Sequence, residues 1–172
     1  CITIYELNNS EVSLYVWHET SKKVGSNEFT SYLIDYIRNI ADSYKEVVLI
    51  SDGCNYPNRN KVLSSASSNI AVEKFIVLNQ LHLEKGRTMM EADNVHFTLE
   101  QYFKPTINSP MDYVARMRVA RPKQPYKIEV LNYDFFFKYD DVPTNLPSLY
   151  FLHPHAHRYK SSCRIGSESC MI

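Results

Sequence analysis

Asp52 closes the apolar run "EVVLIS" and opens the polar stretch "DGCNYPNRN". In an open α/β sheet, ligands bind outside the carboxyl ends of the strands, so a carboxylate at that point can meet solvent and ligand together. Asp also starts turns by accepting from nearby backbone amides, which by residue type alone is its commoner use. A second group shifts the balance. In "MEADNVHFTLE", Asp93, His96 and Glu100 recur at i, i+3 and i+7. On a helix they fall within an arc of about 60°, at the border of the apolar stripe. A solvated helix face has the same look. Together with a strand-end Asp, the column has the composition of a metal site. Phosphodiester cleavage needs charge neutralised on the attacking and leaving oxygens, which two divalent cations roughly 3.5–4 Å apart achieve. Mg²⁺ or Mn²⁺ takes oxygen ligands, usually a few carboxylates with phosphate and water. Asp52 and Glu100 supply two arms and Asp93 a further donor. A carboxylate from a separate element is still needed.

Other groups carry less. His18-Glu19 ends a strand-like run, and Trp17 beside it reads as core. "HPHAH" puts His153, His155 and His157 two apart, a transition-metal pattern set among prolines. Arg116, Arg118, Arg121, Lys123 and Lys127 form a basic stretch able to track phosphates, although such runs are more often solvated faces. There is no GxxxxGK[ST] phosphate loop and no GxSxG elbow. No Cys and His are spaced to argue for a thiol nucleophile.

The elements that must position these groups follow from periodicity. "CITIYEL" and "EVSLYVWHE" flank "NNS" and read as a β-hairpin. Val12, Leu14 and Val16 share one face, Tyr15 and Trp17 the other, so both faces are expected to be covered. Phe29, Tyr32, Leu33, Tyr36, Ile37 and Ile40 give the clearest helix, with Ser26 or Asn27 as its cap and Glu28 in its first turn. "KEVVLIS" is a central strand, buried on both faces. A Ser-rich helix over about 60–73 and a strand at "KFIVLNQ" come next. "HLEKGRT" is a loop. The helix from Glu91 uses Ala92, Val95, Leu99, Tyr102 and Phe103 as its apolar face. "SPMDYVARMRVAR" has Ser as cap and Pro at the first helical position. "YKIEVLNYDFFFKY" is an edge strand or an aromatic packing segment. From 141 to 172 there is no periodicity, and that segment is expected to be an irregular tail. A hairpin followed by alternating helices and strands implies an α/β fold with a mixed sheet and helices on both faces.

Whole-chain properties set the limits. With 172 residues, 44% hydrophobic and 22% charged, the chain suits one domain with a real core. Its formal net charge is zero, so any nucleic-acid contact must come from a local patch. No apolar run is long enough to span a membrane. Four scattered cysteines, Cys1, Cys54, Cys163 and Cys170, with no CxxC pair, suggest reduced thiols in an intracellular protein. The opening at Cys1, already strand-like, reads as a fragment.

"YVWHE", "GSNEFTSYL", "VVLISDGCNYPNRN" and "HLEKGRTMMEADNVHFTLE" resemble a family of transposon-derived, transposase-like proteins. The likeness covers roughly residues 1–140 and is specific around Asp52 and Glu100. It implies a ribonuclease H-like core of the Asp-Asp-Glu type, in which a three-stranded antiparallel meander precedes the α/β part. This chain has two strands before its first helix, so the missing strand is the first, which bears the first catalytic Asp. Asp52 then matches the second carboxylate and Glu100 the third. Asp93 joins the metal, and His96, Asn58 and Asn60 stand behind the ligands. Arg87, Arg116, Arg118, Arg121 and Lys123 would meet DNA. The implied setting is nuclear, with transposon ends and target DNA as partners, a homo-oligomer as assembly and no membrane. The chain departs from the family at Arg87, where His is usual, and at "NYPNRN", where Gly-Gln-Asn is usual.

Two function classes follow. One is a metal-dependent DNA strand-cleaving and transfer core. The other is a catalytically dead core kept as a DNA- or protein-binding module. A small-molecule enzyme is a third class, disfavoured by the lack of a Gly-rich cofactor loop.

Overall fold

The computed structural model describes residues 1–17, 25–51, 61–83, 90–139 and 163–166; of the last four, the backbone is described. The chain forms β1 (Ile2–Glu6), β2 (Val12–Val16), α1 (Ser26–Ile40), β3 (Glu46–Ser51), α2 (Lys61–Lys74), β4 (Val77–His82), α3 (Glu91–Phe103), α4 (Pro110–Val119), β5 (Lys127–Val130), a 3₁₀ turn (Tyr133–Phe135) and β6 (Cys163–Gly166). The strands make one mixed sheet in the order β4-β3-β6-β1-β2-β5.

Alternation along the hairpin explains the layers. Ile2, Ile4, Tyr15 and Trp17 point to one face and pack with α1 and α2 through Phe29, Leu33, Ile37, Leu63 and Ile70. Cys1, Val12, Leu14 and Val16 point to the other and pack with α3 and α4 through Val95, Leu99, Val114 and Met117. The hairpin is therefore buried on both sides, as its doubly apolar pattern anticipates. β3 is buried at Val47, Val48 and Leu49, as expected of a central strand.

The segment after α4 plays both of the parts expected for it. Lys127–Val130 is an edge strand parallel to β2. Phe135 and Phe136 then pack against Tyr15 and Trp17, the latter pair edge-to-face.

Three local features differ from expectation. First, α1 is capped by Gly25, whose N–H donates to Glu28 Oε2 at 2.8 Å. Asn27 and Ser31 are instead used across the fold: Tyr139 N–H donates to Asn27 Oδ1 at 2.8 Å, and Phe137 N–H to Ser31 Oγ at 3.0 Å. Second, α2 ends on Phe75 with φ of 53°, the left-handed C-cap conformation that Gly usually takes. Ile76 N–H reaches Ala71 C=O and Phe75 N–H reaches Val72 C=O, the two bonds of that cap. Third, residues 163–166, where the sequence shows no strand period, form β6 in the middle of the sheet. The rest of 140–172 lies outside the described residues.

β6 runs antiparallel to β1 and parallel to β3, and those two strands meet through it. Its place is the site's frame.

Candidate functional site

The register fixes which strand ends share an edge. Ser51 is level with Ile165 of β6, and Ile165 with Ile4 of β1. On the other side Ser51 is level with His82 at the end of β4. The carboxyl ends of β3, β4 and β6 and the amino end of β1 thus lie along one edge. The β1–β2 turn lies along the opposite edge. Asp52 follows Ser51 directly and is outside the described residues, as are Asn58, Asn60 and Arg87.

α3 starts after the carboxyl end of β4 and packs over β6 and β1. Its direction follows from a contact in its second half. The side chains of Thr98 and Tyr126 interact, and Tyr126 precedes Lys127, which is level with Ser13 near the β1–β2 turn. The first turn of α3 is therefore the end nearer the strand-end edge. Asp93 lies in that turn and Glu100 lies about 10 Å further along the axis, toward the opposite edge, at 1.5 Å per residue.

Asp93 has a local task. Its Oδ2 accepts from Met90 N–H at 2.7 Å, closing the start of α3. A carboxylate there also complements the positive end of the helix. Asp93 and Glu100 are exposed, whereas His96 is buried within the α3 interface. The column inferred from spacing thus divides: two carboxylates reach solvent and the imidazole does not. Among the described residues no group of three His, Cys, Asp or Glu stands close enough to hold a metal ion.

The basic stretch is placed away from the strand ends. Arg116 donates to the carbonyls of Tyr102, Pro105 and Thr106, closing the carboxyl end of α3. Arg121 donates to Ser10 C=O at 2.8 Å and to Gln124 Oε1 at 2.6 Å, which ties the β1–β2 turn. Lys127 pairs with Glu11. Arg118 and Lys123 are exposed. Arg116 and Arg121, read from sequence as DNA contacts, hold structure together at the edge opposite the strand ends.

Three polar side chains near the edge were not singled out from sequence. Ser51 Oγ and His82 Nδ1 are 3.0 Å apart, which holds the carboxyl ends of β3 and β4 level. Ser51 is buried and, by alternation with Val47 and Leu49, faces the α1–α2 side. Thr3, fully buried on β1, pairs in register with Gly166, and its hydroxyl has no hydrogen-bond partner among the described residues. Neither pairing is visible without the strand register.

No family model matches the chain, and no curated protein or solved structure matches it either. No helix of the described residues is long and apolar enough to cross a membrane.

Proposed function

We propose that this chain is the ribonuclease H-like core of a transposase-like protein that cleaves and transfers DNA strands with divalent metal ions. The observation that carries the reading is the position of β6. In a three-stranded meander whose second and third strands are β1 and β2, the first strand lies beside β1 on the side away from β2, antiparallel to it. β6 occupies that slot in that direction. The strand preceding Asp52 and the first turn of α3 flank the same slot.

The donor set is of the right chemistry. Asp52 and Asp93 are hard-oxygen ligands of the kind Mg²⁺ or Mn²⁺ takes. Asp93 is already oriented by its bond to Met90 N–H, and among the described residues its second oxygen takes no hydrogen bond. A bound ion would neutralise charge on a scissile phosphate and ready a water for attack. The chain's own residues would hold that ion at the strand-end edge, with α3 fixing Asp93 and the Ser51–His82 bond fixing the end of β3.

One observation favours the second reading, a core that binds without cleaving. The strand in the slot reads Cys163-Arg164-Ile165-Gly166 and brings no carboxylate there. With this strand seated, DNA cleavage is expected to be slow or absent even if metal binds.

The test is a thermal melt with and without Mn²⁺, then with plasmid DNA. The strand-transfer reading expects Mn²⁺ to raise the midpoint and Asp52→Asn to remove the rise. An unchanged midpoint in the wild-type chain would leave the binding module as the better reading. A rise that survives Asp52→Asn would sink the site assignment.

A further inference from the structure

We propose that the slot between β1 and β3 is a strand-acceptor site. Its preferred occupant is an extended peptide segment with a side-chain hydrogen-bond acceptor opposite Thr3, able to displace the chain's own β6. Four observations lead there.

β1 and β3 do not pair with each other; each pairs with β6. A strand in the slot thus satisfies backbone groups on two sides at once, in a region where Ile2, Ile4, Val47 and Leu49 are all buried. An empty slot would leave these groups without partners, at a cost comparable to a lost hydrogen bond for each.

The present occupant is minimal. β6 has four residues, and residues 140–162 separate it from the last described residue before it. Among the described residues it pairs with Leu49, Ile50 and Ser51 of the six-residue β3, so a longer segment has more of β3 to pair with.

The fit is incomplete at one register position. Gly166 stands opposite Thr3, and the buried Thr3 hydroxyl has no hydrogen-bond partner among the described residues. Directly opposed residues on an antiparallel pair present their side chains to the same face, within reach of each other. Gly has no side chain to offer. Asn, Asp or Ser at that level would give the hydroxyl a partner.

The direction is also set. The incoming segment must run antiparallel to β1 and parallel to β3. This is recognition by strand addition, with main-chain bonds giving affinity and the residue opposite Thr3 giving selectivity.

The experiment uses the full chain and a labelled peptide spanning residues 159–170 with its cysteines replaced by serine. The peptide is made in two forms, unmodified and Gly166→Asn. Binding is measured to the wild-type chain and to Ile165→Pro, which removes a ladder N–H from the chain's own strand. Both peptides are expected to bind Ile165→Pro more tightly than wild type and to raise its melting midpoint. The Gly166→Asn form is expected to bind on the order of tenfold more tightly than the unmodified one, the value of one buried hydrogen bond. In the full chain, Gly166→Asn alone should raise the midpoint. The proposal is overturned if Ile165→Pro melts like wild type and takes up neither peptide. It is overturned equally if Ile165→Pro fails to fold and no peptide restores it, or if the two peptides bind alike and Gly166→Asn lowers the midpoint. Neither metal nor DNA enters these measurements, so the strand-acceptor site stands or falls apart from the strand-transfer reading.

Discussion

Substituting Asp93 and Glu100 separately decides which end of α3 meets the metal. The two are seven residues apart, about 10 Å along the axis, so each reports on a different end of the helix. The run of α3, fixed by Thr98 against Tyr126, brings Asp93 nearer to the strand that leads into Asp52. Asp93→Asn retains an acceptor for Met90 N–H and loses the first-turn charge, which costs about 0.3–1 kcal/mol without metal. Glu100→Gln, on an exposed surface, should change stability by less than about 0.5 kcal/mol. Mn²⁺ at a hundredfold excess over its Kd adds about 2.7 kcal/mol to a native state that alone binds it. For a chain of this size that is a rise of about 5–10 °C in the melting midpoint. The assay is a melt of each variant across a Mn²⁺ titration. Asp93→Asn is expected to abolish the rise and Glu100→Gln to preserve it. The opposite pattern, with the rise lost in Glu100→Gln and kept in Asp93→Asn, would refute the inferred direction of α3 relative to the site.

Further predictions rest on single contacts. A Cβ at Gly25 would stand 2.6 Å from Glu28 Oε2, while the backbone there is extended at φ of −121° and suits any residue. Gly25→Ala should therefore cost about 1 kcal/mol through the displaced cap and far less in a Glu28→Ala background, which a double-mutant cycle in urea would show. Phe75, 86% exposed, sits in the left-handed region, so Phe75→Gly should raise stability by about 1 kcal/mol by denaturant melt. Burial raises the pKa of Tyr15 first, with the nearby Asp35 carboxylate adding to it, and burial raises Tyr32 and Tyr126 as well. A phenol raised in the folded state leaves stability intact below the ordinary tyrosine range near pH 10 and erodes it as pH climbs toward the folded value. Alkaline unfolding should thus begin above about pH 10, with these phenols ionising as the fold opens; their full titration at 295 nm with the fold intact would contradict this.

Legibility followed how local each cause is. The apolar stripe of α1 and the double-faced apolar pattern of β1 and β2 are set by neighbours within a few residues, and both appear as read. The cap of α1 falls at Gly25 and not at Ser26 or Asn27, and Asn27 spends its side chain on Tyr139, more than a hundred positions away. The charge of Arg116 and Arg121 was legible and their acceptors were not. One closes the end of α3 and the other holds the turn at Ser10. Spacing correctly put Asp93, His96 and Glu100 on one helix. It was silent about the direction of that helix over the sheet, which decides between the two carboxylates.

β6 shows why the chemistry is harder to read than the fold. A strand flanked on both sides is held chiefly by backbone bonds to its neighbours, so the demand for it is written in β1 and β3 and not in its own side chains. "CRIG" has neither the length nor the alternation that would announce a strand, yet β1 and β3 leave a place that a strand must fill. Filling that place and equipping it are separate requirements. Four residues meet the first through main-chain pairing, while Gly166 offers no side chain to the Thr3 hydroxyl, which has no partner among the described residues. The sheet can therefore be complete as a fold while one buried hydroxyl in it has no partner among the described residues. A change at one register position, the one opposite Thr3, alters the second condition without disturbing the first.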